Sequence, residues 1–286
     1  MSNKVAIVTD STAYLPKEFV QQYNISIVPL SLIWGEEVQR DGVDIQPNQF
    51  YERLSTSRIM PTTSQVTPAV MHDTFKELLD QGYDVLGIFL SSKISGTIQS
   101  ALQSLELLDK DASRVAIVDT LMTTMAMGMP VLTAARAAHA GESLAECLKA
   151  TENACRNTGV FFLVETLEFL RRGGRIGGAQ ALLGNVLNIK PILELSNGVI
   201  ESVDKVRTKQ KAMQRVVELA VERVDARVPV RIAVTHANAE ADAQTLLNTA
   251  QAELSPIETF ISPLSPVIGA HVGPGTLALN FMYEVS

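Results

Sequence analysis

Short apolar, β-branched runs at 4–9, 25–34, 84–90 and 114–118, most of them separated by longer segments with helical spacing, constrain this chain more than any other feature. A strand that rejoins its sheet after a helix runs parallel to the strand before it, so the alternation predicts a parallel sheet covered by helices. Helices are expected over 16–23, 68–81, 97–108, 123–140 and 144–157, the first two opened by Pro16 and Pro68. From about Val160 the pattern changes. A strand at 160–164 and short helices near 167–172 and 179–187 precede two apolar runs, 191–195 and 199–203, that flank Ser196-Asn197-Gly198. Asn-Gly between apolar runs is a strong hairpin signal, so this half is expected to carry antiparallel sheet. A long helix over 209–224, a strand at 230–235, a helix over 240–254 and strands near 257–261 and 277–283 complete the chain. The predicted class is α/β: a parallel-sheet α/β domain over residues 1–158, then an α+β domain over 159–286, with a ligand held in the region between them.

At 286 residues, 46% of them hydrophobic, the chain is long enough for two real cores. Its 24 Lys and Arg against 31 Asp and Glu give a net charge of -7, which argues against nucleic-acid binding through a basic surface. Cys147 and Cys155 are expected on one helix, roughly 12 Å apart along its axis, too far to pair. Two unpaired thiols and a polar, interrupted start predict a cytoplasmic protein. No apolar run reaches the roughly 20 residues of a membrane-spanning helix, so no integral membrane segment is expected.

Five polar segments carry the chemistry. Ser91, Ser92, Ser95 and Thr97 surround Gly96 between a strand-like and a helix-like run. Hydroxyls, a close-approaching backbone and a helix N-terminus suit a carboxylate or phosphate, although Ser95 or Thr97 as a simple helix cap explains the pattern equally well. Pro61-Thr62-Thr63-Ser64-Gln65 offers three more hydroxyls without a charge, or a turn with one capping Thr. Thr9-Asp10-Ser11-Thr12, at the end of the first strand, reads better as a cap than as a ligand contact. Arg171, Arg172 and Arg175 stand among Gly173, Gly174, Gly177 and Gly178. With Lys190, Lys205, Arg207, Lys209 and Lys211 they make eight basic residues over 168–211 against four acidic ones, a pattern that fits an anion or a partner. His271 lies in a loop bracketed by Gly269, Gly273, Pro274 and Gly275. Phosphate-loop and dinucleotide fingerprints, HExxH, CxxC and GxSxG are all absent, so neither a nucleotide, a metal nor a serine nucleophile is expected.

These segments, together with Val118-Asp119-Thr120, Lys190-Pro191-Ile192-Leu193, Lys205-Val206-Arg207 and the run from His271 to Thr276, occur in an order that resembles the DegV family over nearly the whole chain. That family includes the FakB subunits of bacterial fatty acid kinase. The resemblance implies a lipid-binding protein, not an enzyme, with no cofactor. One long-chain fatty acid is bound and presented to a separate ATP-binding kinase subunit, which makes an acyl phosphate for phospholipid metabolism. Carried over by motif, Thr63 and Ser95 bind the carboxylate, Thr62, Ser64, Arg172 and His271 lie near the head group, and Arg171, Arg175, Lys205 and Arg207 dock the partner. Val66 where the family often has Pro, and the additional pair Gly177-Gly178, depart from the pattern. Ala181, Leu182, Leu183, Val186 and Leu187 either line the tail tunnel or belong to ordinary core. A stand-alone enzyme acting on a small phosphorylated or carbonyl substrate, as the likeness to dihydroxyacetone kinase domains implies, is the alternative. A regulatory protein working through the basic loop is a third reading.

Overall fold

The computed structural model describes residues 3–183, 189–224 and 228–284. The first part of the chain runs β1 (Val5–Asp10), α1 (Lys17–Gln22), β2 (Ser26–Val28), β3 (Ser31–Trp34), β4 (Glu37–Arg40), α2 (Pro47–Thr56), β5 (Thr62–Ser64) and α3 (Pro68–Asp80). It continues with β6 (Asp84–Phe89), α4 (Thr97–Leu108), β7 (Val115–Asp119), α5 (Thr124–His139) and α6 (Leu144–Arg156). The remainder is β8 (Thr158–Leu163), α7 (Glu168–Arg172), β9 (Lys190–Ser196), β10 (Val199–Val206), α8 (Lys209–Arg223), β11 (Val230–His236), α9 (Glu240–Leu254), β12 (Glu258–Pro263), α10 (Pro266–Val272) and β13 (Leu277–Tyr283).

The expected parallel sheet is present in the order β2-β1-β6-β7. A second sheet, β10-β9-β8-β13-β11-β12, is antiparallel except for its β11–β12 edge. The run at 25–34 is not one strand: Pro29, which cannot donate to a ladder, separates β2 from β3. β3 then leaves the parallel sheet and pairs with β4 and β5 in a small antiparallel sheet that the sequence reading did not anticipate.

α3 and α4 cover the outer face of the parallel sheet, and α8 and α9 that of the mixed sheet. α5 lies between the two sheets, touching β1, β6, β8, β11 and β13. A helix contacted on all sides must be apolar all round, and α5 buries Met125, Met127, Met129, Val131 and Leu132 together with Pro130. Its start is fixed by Asn280, fully buried on β13. The Asn280 Oδ1 accepts from Thr124 Oγ1 at 2.8 Å and Ala126 N at 3.1 Å, while Nδ2 donates to Ala233 O at 3.0 Å and Thr235 Oγ1 at 3.2 Å. A buried amide with every hydrogen-bonding direction used is a rigid joint between helix and sheet.

Two further corrections concern segments near the site. His271 does not sit in a free loop: it occupies the last turn of α10, started by Ser265, whose hydroxyl accepts from Ile268 N, and by Pro266. The helix expected over 179–187 is a 3-10 turn, Gly177–Leu182, and the rest of that expectation lies outside the described residues.

Candidate functional site

A chamber opens between the two sheets and the small sheet, lined by residues on or beside all three. Its apolar wall is assembled from Leu30 and Leu90, from Val160 and Phe162 on β8, from Leu195 and Ile200 on β9 and β10, from Leu264, Val267, Ile268 and Val272 in and before α10, and from Leu170 and Ala278.

Three threonines also face this space, and each turns its hydroxyl away. Thr123 donates to Thr12 Oγ1 at 3.1 Å, Thr124 donates to Asn280, and Thr276 donates to Val272 O at 3.0 Å and Gly273 O at 2.9 Å. What they present to a ligand is therefore mainly methyl surface. The remaining polar lining is Thr63 and Ser64 from β5, Gln65 just after it, Ser95 before α4, Arg175 and His271. The structure thus brings Thr63, Ser64, Ser95 and His271 to one chamber.

Thr63 Oγ1 lies 2.7 Å from His271 Nε2. Burial first, and the Arg175 charge second, push the His271 pKa down to about 4, so the ring is neutral at pH 7. Its Nδ1 is buried without a partner among the described residues and faces Gly173, where a Cβ would come within 2.2 Å of it. A buried N–H without an acceptor is costlier than a bare lone pair, so the proton belongs on Nε2. His271 then donates to Thr63, and the Thr63 hydroxyl proton is left to point at a ligand. Ser95 Oγ accepts from Thr97 N at 3.3 Å and lies 3.0 Å from Thr97 Oγ1, at the positive end of α4.

The charge comes from a residue assigned elsewhere by the sequence reading. Arg175 lines the chamber, its Nε donating to Ile94 O at 3.0 Å and its Nη1 to Gly173 O at 2.6 Å, and among the described residues it has no carboxylate partner. Arg172 is off the chamber: with Arg171 it is exposed and paired to Glu168, whose carboxyl these two guanidinium groups hold down to about 2. Thr62 is exposed on β5, alternating away from Thr63. Lys205 and Arg207 are exposed at and beyond the end of β10. The described tunnel candidates Ala181, Leu182 and Leu183 do not line the chamber, and Val186 and Leu187 lie outside the described residues. The first hydroxyl cluster is structural: Asp10, fully buried, accepts from Thr12 N, Thr12 Oγ1 and Leu90 N. Among the described residues no group of three or more His, Cys, Asp or Glu is arranged to hold a metal, and no helix is long and apolar enough to cross a membrane.

This constellation lies inside a match to the family profile described as "Uncharacterised protein, DegV family", which spans residues 4–284. The chain belongs to the DegV family. A curated DegV domain-containing protein of Streptomyces coelicolor is 38% identical over 98% of this chain and 98% of its own. Among solved structures, a fatty-acid-binding DegV family protein of Thermus thermophilus is 33% identical with a TM-score of 0.93, covering 98% of this chain and all of that one. DegV of Bacillus subtilis, described as a fatty acid binding protein, is 36% identical with a TM-score of 0.89, covering 99% and 100%. The chain is therefore a DegV protein whose overall fold matches structures described as fatty-acid binding.

Proposed function

We propose that this chain holds one long-chain fatty acid, its tail in the apolar chamber and its carboxylate on Thr63 and Ser95, and presents that carboxylate to a separate ATP-binding kinase subunit for conversion to an acyl phosphate. The observation that carries the reading is the one-sided polarity of the chamber. The hydroxyls of Thr123, Thr124 and Thr276 turn outward along the tail wall, while Thr63, oriented by neutral His271, and Ser95 supply hydroxyls and Arg175, without a carboxylate partner among the described residues, supplies one positive charge. The descriptions of the Thermus and Bacillus relatives support the ligand class.

The energetics fit. Burying a 16-carbon tail contributes roughly 10 kcal/mol at about 0.8 kcal/mol per CH₂, so the tail supplies affinity and the head group sets orientation. Ser64 stands beside the carboxylate, and Arg175 offsets the charge added on phosphorylation. Arg171, Arg172, Lys205 and Arg207 are exposed and available to an acidic partner surface, and Thr62 is exposed on β5 outside the chamber lining. The working division is residues 1–158 and 159–286, with the ligand between them. Free Cys147 and Cys155 fit a cytoplasmic protein. No observation favours the stand-alone enzyme.

The test uses delipidated protein titrated with palmitate and with hexadecanol, which shares the tail and lacks the charge. Tight binding of the acid and weaker binding of the alcohol supports the reading; rejection of both removes it. With a kinase subunit supplied, the Arg171→Ala, Arg172→Ala double variant keeps palmitate affinity and loses acyl phosphate formation. Full turnover by that variant removes these arginines from partner docking.

A further inference from the structure

Ser95 is held by contacts that cross from the mixed sheet, and these begin at Ser91. Ser91 is fully buried and bonded in every direction. Its N–H donates to Met122 O at 2.8 Å, and its carbonyl accepts from Ile94 N at 3.2 Å and Ser95 N at 3.1 Å. Its hydroxyl accepts from Lys93 N at 3.1 Å and donates to Gly198 O at 2.9 Å. Ser91 is thus the hub of the turn that carries Ser95, and one spoke reaches 107 residues along the chain to the β9–β10 turn.

That turn is shaped for the contact. Asn197 and Gly198 have φ values of 48° and 83°, the pair of positive angles of a type I′ hairpin. A Cβ at Gly198 would come within 2.4 Å of Ser91 Oγ, 3.0 Å of Lys93 Cγ and 3.1 Å of Leu121 Cδ2. Only glycine lets the turn seat here, for its φ and for its lack of a side chain. The residues that flank the turn and pair across the hairpin, Leu195 and Ile200, both face the chamber. One hairpin therefore touches the tail space with its strands and the head-group turn with its tip.

We propose that the β9–β10 turn is a clasp on the Ser91–Ser95 turn, with Ser91 and Gly198 acting as positioning residues that hold Ser95 toward the carboxylate and couple its placement to packing of the tail against Leu195 and Ile200. The proposal rests on the fatty-acid reading given above for the ligand, and on the hydrogen bonds alone for the clasp.

The test compares Ser91→Ala, which removes the bond without backbone strain, with Gly198→Ala, which displaces the turn. In both, palmitate affinity falls about ten-fold or more, the loss of one hydrogen bond to a charged group, while hexadecanol affinity changes by less than about two-fold. Amide exchange at Ile94 and Ser95 in the ligand-free chain rises, because both N–H groups donate to the Ser91 carbonyl. Equal losses for acid and alcohol, or unchanged palmitate affinity in the folded Ser91→Ala chain, overturn the clasp. Unchanged exchange overturns it with the carboxylate site intact. A wild-type chain that takes hexadecanol as tightly as palmitate refutes the carboxylate site instead, and raised exchange in the variants then leaves the clasp standing.

Discussion

Replacing Thr63 with valine tests the polar end of the chamber with almost no change in volume. The hydroxyl removed lies 2.7 Å from His271 Nε2, and His271 Nδ1 is already without a partner, so the ring loses its one hydrogen bond among the described residues. A buried donor left unmade costs about 1–3 kcal/mol, which sets the expected drop in stability of the ligand-free chain. No charge is stranded, because burial holds the His271 pKa near 4 and the ring stays neutral at pH 7. The loss on binding is separate: a hydrogen bond to a carboxylate is worth about 1.5–3 kcal/mol, so palmitate affinity falls roughly 10- to 150-fold while hexadecanol affinity is nearly unchanged. Urea denaturation reads the first term and parallel titrations of acid and alcohol read the second. Because His271 acts on the ligand through Thr63, adding His271→Phe to Thr63→Val costs little further acid affinity. Acid affinity within about two-fold of wild type, or a parallel fall for the alcohol, refutes the assignment of the Thr63 proton to the ligand.

The pH dependence of stability carries two contributions of opposite sign. The folded His271 pKa of about 4 lies below the ordinary imidazole value of 6.5, so its contribution is full above 6.5 and is lost as pH falls toward 4, on the order of 3 kcal/mol in all. His271→Gln flattens that limb in urea denaturation, and an unaltered acid limb contradicts the burial argument. Asp41 is shifted up to about 7, by burial first and by Asp10 among the rest, against donors that include Ser11 and Ser265. The folded chain therefore keeps that proton longer, and a penalty on the order of a few kcal/mol develops as pH rises from 3.8 through 7. Asp41→Asn is expected to be more stable than wild type at alkaline pH, with the advantage gone in acid; a variant less stable in alkali rules this out. Val160 lies on β8 opposite Asn280, toward the end of the strand away from α7 and α10. Val160→Phe should shorten the tail space, costing an 18-carbon acid about 2 kcal/mol, or roughly 30-fold, for some three displaced CH₂ groups and sparing a 12-carbon acid. Equal effects on both lengths would place Val160 elsewhere along the tail.

The parallel sheet is legible because strands buried on both faces leave continuous apolar, β-branched runs between helical spacers, and the β9–β10 hairpin because Asn197-Gly198 supplies the two positive φ angles. The small sheet is not. β4 is mostly exposed and β5 is three residues of Thr and Ser, so neither carries an apolar pattern, and both exist through pairing with β3. α10 was missed although Ser265-Pro266 is a good helix start, because Gly269 and Gly273 read as loop punctuation. The polar end of the chamber was found as separate motifs, but their convergence is tertiary. The motifs alone assign Arg175 to the partner surface and Arg172 to the head group, since adjacent arginines in one segment look alike until the turn around Gly173 aims one of them inward. The tail wall was beyond reach: Leu195 and Ile200 differ in no visible way from residues facing another core.

Native mass spectrometry of the purified chain, followed by organic extraction and identification of what co-purifies, reads ligand identity and stoichiometry together. One long-chain fatty acid per chain is expected, released on extraction and restored by adding palmitate to the delipidated protein. A chain that arrives empty and stays empty when palmitate is added would contradict the fatty-acid reading.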